Sequence, residues 1–406
     1  MYLKFAWRYF RAKKSAHAIN IIAWVTTGVI AFATCCQVLV LSVFNGFEGL
    51  VKSLYSSFYS DFKIVPQKGK TFTLTTAQLE AIKNQPFIKG VSLVAEEKAL
   101  LENDETQAAV IIKGVDENYN KVSGLPQKIV SGKYDTGTPD APKGVIGYGV
   151  QNAAGIFVDS SLAPATLTIT LPKRNTTSTD PMSLISQGNL QASGVFAIQQ
   201  EFDNSYIITN IGFLKQQMNF GENEFSAIEI SLLPGTRESK ALPELQKLIP
   251  AHTILKSRYQ QNSNLYNTMK MEKWAIYAVL TLILIIAAFN MISAITMLVL
   301  EKKKDIGILQ AMGSPKSAIQ KIFLSEGLLL GVLGAGIGIS LAILICVLQT
   351  RFHFIKLQGG SFLIDYFPVK LQLTDILLVA GTVLFISFTA SWFPSYKAAQ
   401  QSLDLK

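Results

Sequence analysis

Four apolar stretches without a single charged side chain constrain this chain most: Ala18–Phe47, Trp274–Leu300, Gly327–Thr350 and Ile376–Tyr396. A helix needs roughly 20 apolar residues to cross a bilayer's hydrocarbon core, and all four reach that length. Lipid offers backbone amides no hydrogen-bonding partner, so each stretch must be a helix. Their spacing is lopsided. One span is followed by the long polar stretch Glu48–Lys273, and the other three spans then come close together. The expected fold class is a membrane protein with four transmembrane α-helices and a large α+β domain between helices one and two.

The net charge of +9 could suggest a nucleic-acid partner, so where the cations lie matters. Lys4, Arg8, Arg11, Lys13 and Lys14 precede span one. Lys302, Lys303, Lys304, Lys316 and Lys321 lie between spans two and three, and Lys397 and Lys406 follow span four. Cations gather on the cytoplasmic side of membrane proteins. Residues 1–17, 301–326 and 397–406 are therefore read as cytoplasmic, which puts 48–273 and the loop 351–375 outside. Both termini fall inside, as an even number of crossings requires. The charge thus reports topology and contact with membrane lipids, and nucleic acid is excluded as a partner.

Cys35, Cys36 and Cys346 all sit within spans, so the outer domain holds no disulfide framework and must stand on its own core. The apolar run of span one is too long for the core of a cleaved signal peptide, and we read it as a retained helix. On a helical wheel Lys4, Arg8 and Arg11 share one side, with Leu3, Phe5, Trp7, Tyr9 and Phe10 around the rest. Two readings stay open: an interfacial helix on the inner leaflet, or a plain extension of span one.

Within the outer domain, helices are expected at Thr76–Gln85, Ile211–Met218 and Ala241–Leu248, the last with Pro243 in its first turn. Strands are expected at Phe62–Pro66, Val91–Val94, Ala108–Val115, Ala165–Leu171, Gly194–Ile198, Ser205–Thr209 and Ser226–Leu232. No βαβ rhythm links them, which suggests an α+β domain with mixed sheets. Leu171–Leu190 is polar and holds Pro172 and Pro181. It reads either as a surface loop or as a protruding hairpin, with Pro172, Lys173, Arg174 and Pro181, that touches a partner.

No catalytic or metal-binding constellation is expected. His17, His252 and His353 are scattered, and phosphate-loop and nucleophile-elbow motifs are absent. Energy must come from another chain. The segment 301–326 shows how it could arrive. Ile306–Met312 reads as a helix ended by Gly313, and Ser314 and Pro315 read as N-cap and N1 of a second short helix, Pro315–Phe323. A transverse helix of this kind, carrying Ser314, Pro315, Lys316, Ser317, Ala318, Ile319 and Lys321, could take force from an ATPase. Span three carries Gly327, Gly331, Gly334 and Gly338, a bare face that lets another backbone approach, in this chain or in a second subunit. Gln37 and Asn290 are polar groups within spans and are expected to face protein or a cavity.

In its ordered motifs the chain resembles the FtsX-like and MacB-type permeases, and among them the lipoprotein-releasing members. The motifs are Leu41–Glu48, Gly114-Val115-Asp116, Met271–Asn290, Glu301–Gly313 with Ser314-Pro315, and Phe393–Ala399. The resemblance implies a dimer of permeases, identical or paralogous, on a cytoplasmic ATPase dimer, in a bacterial inner membrane with the large domain in the periplasm. ATP and magnesium would belong to the ATPase, leaving this chain without a cofactor. The Pro315–Phe323 helix would seat in the ATPase. Spans one and two would line a cavity for the acyl chains of a lipoprotein, which then passes to a periplasmic carrier. Val40, Val43 and Phe47 share one face of the outer half of span one, and Trp274, Ala278 and Leu282 lie on span two. Such apolar walls are all that acyl chains require, at about 0.8 kcal/mol per buried methylene. The insertion Leu171–Leu190 falls where one releasing subunit carries a carrier-recruiting hook.

Two other readings compete with lipoprotein release. A mechanical transmitter would drive a cell-wall hydrolase or a sensor, but the resemblance implies a smaller outer domain for such relatives. A MacB-like efflux component would act on periplasmic substrates, and a fused ATPase is expected there.

Overall fold

The computed structural model describes residues 17–158, 165–174, 184–356 and 366–400. The expected surface helix with Lys4, Arg8 and Arg11, the hairpin residue Pro181 and the end of the tail lie outside them.

Helix α1 (His17–Phe58) leads into β1 (Phe62–Pro66), β2 (Phe72–Thr73), α2 (Thr76–Lys83), β3 (Ile88–Asn103) and β4 (Thr106–Val115). Then come α3 (Tyr119–Val122), β5 (Ile129–Gly132), β6 (Lys143–Gly147), α4 (Tyr148–Ala153), β7 (Thr166–Pro172) and β8 (Ile185–Phe196). The outer domain closes with α5 (Gln200–Asp203), β9 (Tyr206–Asn210), α6 (Ile211–Met218), β10 (Glu224–Phe225), β11 (Ala227–Leu232), α7 (Glu238–Leu248), β12 (Thr253–Ser257) and α8 (Arg258–Gln261). The remaining helices are α9 (Ser263–Glu301), α10 (Lys303–Ala311), α11 (Lys316–Phe352) and α12 (Leu373–Ala399). Among the described residues α1, α9, α11 and α12 are long and apolar enough to cross a membrane. Contacts divide the chain into two units, residues 1–50 with 267–406, and residues 51–266.

The membrane unit is packed by small residues. A Cβ on Gly327 would lie 1.9 Å from Ser391 Oγ, and one on Gly331 would lie 2.2 Å from Ser387 Oγ, both on α12. A Cβ on Gly334 would meet Ile30 at 2.7 Å and one on Gly338 the Ala31 carbonyl at 2.4 Å, both on α1. No side chain fits at any of the four, so the glycine face of span three serves this chain's own spans one and four. Ser391 donates to the Ser387 carbonyl, so the hydroxyl opposite Gly327 is satisfied within its own helix, as is that of Ser395 one turn on. Gln37 is fully buried and donates to Thr281 Oγ1 of α9 at 3.1 Å, whereas Asn290 is exposed on the isolated chain.

The outer unit is built on a mixed sheet in the order β12-β1-β11-β3-β4-β9-β6-β8-β5, with β7 pairing β3 and β8. The β4–β9 and β6–β8 pairs are parallel and the others antiparallel. The 16-residue β3 is much longer than the expected Val91–Val94, and it pairs β11 through its first half and β7 through its second. The insertion is not structureless. β7 and β8 form a ribbon from Thr166↔Gln191 to Pro172↔Ile185. The start of β8 alternates exposed and half-buried positions, but Ser186 and Gly188 on the covered side are not apolar, so no hydrophobic period marks it. Pro243 lies inside α7, because that helix starts a turn before Ala241. β6 and β12 fall where no strand was expected.

Candidate functional site

Three surfaces can be built from the residues upward. The first is the turn between α10 and α11. Gly313 adopts φ +85°, the left-handed conformation that ends a helix, and its N–H bonds the Gln310 carbonyl at 3.0 Å. Pro315, at ψ 148°, is itself the cap, so the helix begins at Lys316, one residue later than the sequence implies. It also does not stop at Phe323: α11 runs unbroken into span three, correcting the expectation of a separate transverse helix. Pro315, Lys316, Ser317 and Lys321 are exposed, while Ser314 and Ala318 are half-buried. Ile319 is 1% exposed and packs with Ile306, Phe323 and Ala398 in the membrane unit's core. Two residues that the sequence reading passed over complete the surface. Ile308 and Met312 are 59% and 78% exposed, apolar side chains one turn apart beside the turn. Their i, i+4 spacing was the available signal.

The second surface lies on spans one and two. Val40, Trp274, Ala278 and Leu282 are exposed, as are Val279, Ile286 and Phe289 further along α9. Val43 and Phe47 are half-buried, and the Phe47 ring meets Phe367 edge-on at 5.7 Å, so Phe47 is partly covered by this chain's own loop.

The third is the β7–β8 ribbon. Pro172 and Lys173 are exposed, and the Lys173 N–H bonds the Leu184 carbonyl at 2.7 Å. Arg174 is instead tied down: its guanidinium pairs with Glu97 and lies 5.9 Å from the Phe220 ring. Lys70 pairs the same carboxylate at 2.8 Å. Burial pushes the Glu97 carboxyl up, but the hydrogen bonds from Lys70 and Arg174 outweigh it and hold the carboxyl below its ordinary value.

The outer unit also encloses charge that no sequence pattern announced. Lys113 on β4 is 1% exposed, and its ammonium donates to Glu229 on β11 at 2.7 Å and to Tyr119 OH at 3.0 Å. It also lies 4.8 Å from the Phe58 ring centroid. Lys63 pairs with Glu96 at 3.1 Å, and Tyr206 OH donates to Glu96 at 3.2 Å. Burial pulls Lys63 down and Glu96 up, but their opposite charges win: Lys63 sits above its ordinary value and Glu96 below. This network is structural in form, since each charge faces its partner within the sheet.

Two family models match. The MacB-like periplasmic core domain covers residues 23–248, and the FtsX-like permease C-terminal model covers residues 277–403. Full-length relatives include the lipoprotein-releasing system transmembrane protein LolC of Neisseria meningitidis, 26% identical over 97% of this chain and 95% of the relative. LolC of Xylella fastidiosa is 24% identical, covering 97% of this chain and 95% of its own. LolE of Haemophilus influenzae is also 24% identical, covering 97% of this chain and 96% of its own. Among solved structures, the periplasmic region of MacB from Actinobacillus actinomycetemcomitans matches with a TM-score of 0.37 at 12% identity, covering 54% of this chain and 98% of that one. The chain therefore belongs to the FtsX-like and MacB-type permease family, as a multi-pass membrane protein with a periplasmic-type domain between its first two spans.

Proposed function

We propose that this chain is the permease subunit of an ATP-driven transporter that extracts lipoproteins from the outer leaflet of the bacterial inner membrane and passes them to a periplasmic carrier. The observation that carries the reading is a resemblance to LolC and LolE, named lipoprotein-releasing proteins, along 97% of this chain. The exposed apolar faces of α1 and α9 support it, since acyl chains need walls without polar groups. A separate cytoplasmic ATPase dimer would bind ATP and magnesium and seat against Ile308, Met312, Pro315 and Lys316. The apolar pair would bury in its groove while the lysine stays at the rim. A second permease, identical or paralogous, would complete the cavity. Both termini would lie in the cytoplasm, and the ribbon's Pro172 and Lys173 would face the carrier.

Depleting the chain and fractionating the cell envelope tests the proposal. Outer-membrane lipoproteins should accumulate in the inner membrane. Normal lipoprotein distribution with failed cell separation would instead support a mechanical transmitter acting on a cell-wall hydrolase.

A further inference from the structure

The ends of spans one and two that border the large domain are joined by a cluster with no role in the surfaces above. Asn45 is 1% exposed. Its carbonyl accepts from Lys273 Nζ on α9 at 2.9 Å, and its amide donates to Asp375 Oδ2 on α12 at 2.6 Å and to the Lys370 carbonyl at 3.5 Å. Lys273 also reaches both Asp375 oxygens, at 3.0 and 2.9 Å. One amide thus bonds both members of an ion pair from two other spans, with its donor and acceptor sides matched to their charges.

The surroundings leave no slack. A Cβ on Gly46 would lie 2.1 Å from the Pro368 carbonyl oxygen, and the Lys370 N–H bonds the Ser42 carbonyl at 2.9 Å. About two helical turns deeper on both helices, the Gln37–Thr281 hydrogen bond forms a second rung between the same two spans. Tyr277 bonds Thr382, tying α9 to α12 a turn below Lys273. Separating span two from span four would strand an ammonium and a carboxylate at the edge of an apolar medium, and separating span one from both would leave the buried Asn45 amide without either charged partner.

We propose that Asn45, Lys273 and Asp375 form a polar latch that stays shut through the transport cycle and holds spans one, two and four as one wall. Lys273 precedes Trp274, and Asn45 lies two positions before Phe47, so the latch sets the spacing of the exposed apolar face. Lipid and cargo cannot pass between spans one and two of one chain. Access opens between this wall and a neighbouring chain. The latch is a positioning device, and its use in lipoprotein release rests on the function proposed above.

A charge exchange tests it, because the Asn45 amide can turn over to serve the reversed pair. Asp375→Ala, Lys273→Asp and the exchange Lys273→Asp with Asp375→Lys are made in the full chain and purified with the ATPase that copurifies. Each single variant should lower the thermal midpoint of the complex, and the exchange should recover most of that loss. Complexes with a single variant should keep at least half the ATP hydrolysis rate and lose at least tenfold in lipoprotein release, and the exchange should restore release. Unchanged midpoints, or an exchange as damaged as the singles, would overturn the latch whatever happens to lipoproteins. Hydrolysis and release falling together would reduce it to a fold contact and overturn the positioning role. If lipoproteins sort normally without the chain at all, the release reading fails, and the midpoints still decide the latch.

Discussion

Lys113 can place its charge only between Glu229 and Tyr119, and that dependence is measurable. Lys113→Met leaves the buried Glu229 carboxylate with only the Lys63 ammonium, 3.8 Å away, which should cost about 3 kcal/mol of stability. Pairing it with Glu229→Leu should return most of that loss, because two apolar residues replace the whole ion pair. Denaturant unfolding of the full chain in detergent, followed by the far-UV signal of the sheet, would show it, and a single variant as stable as wild type would refute the cost. This pair was not legible in the sequence. In AAVIIKGV a lysine at the end of an apolar run reads as a solvent-facing strand position, and its partner lies far away in the chain, on β11. Gln37 was legible for the opposite reason: an amide within an uncharged span has few options except a neighbouring helix.

At the level of elements, the turn between α10 and α11 separates two kinds of residue that the sequence placed together. Met312→Asp puts a charge on a 78% exposed side chain, so the chain should still insert and assemble its own spans. If the turn seats an ATPase, this change should lower ATPase copurification at least tenfold. Ile319→Asp buries a carboxylate in the core formed with Ile306 and Phe323, and it should lower the amount of folded chain in the membrane. Immunoblots of membranes beside pull-downs of the ATPase distinguish the two, and Met312→Asp with full copurification would count against the docking surface. Helix punctuation was readable here to within one residue, because Gly313 and Pro315 each have a single local reason to be where they are. The length of α11 was not readable. Nothing in Ser317–Glu326 stops a helix, so the short rod and the span merge. Only the end of β8 was readable, as Gly194–Ile198; its start alternates in burial, but the inward Ser186 and Gly188 are not apolar.

For the molecule as a whole, acid is the informative variable. Glu96, Glu97 and Asp135 are held below their ordinary values by hydrogen bonds and neighbouring cations. Their stabilisation is complete above the unfolded value, 4.5 for the glutamates, and is lost as pH falls through their lower folded values. Asp116 and Asp203 are raised by burial and act in the opposite sense, which makes the loss shallower. Lys63, held above its ordinary 10.5, adds stability below that value that fades as pH rises through its folded pKa. Calorimetry of the full chain in detergent should therefore show the outer unit's midpoint falling as pH drops below 4.5, and a flat profile there would show that these pairs do not contribute. The division into membrane and outer units was legible from four uncharged stretches, since lipid tolerates little else. The order of strands was not, since β3 meets both β11 and β7, partners that lie far from it and from each other in the chain. That arrangement has an evolutionary consequence. Near its tip the β7–β8 ribbon is fastened by Arg174 on Glu97 and by Ser186 on Gln217, so substitutions at its exposed positions Gln187 and Asn189 leave the strands beneath in place. Lineages could refit this limb for new clients while inheriting the same chassis.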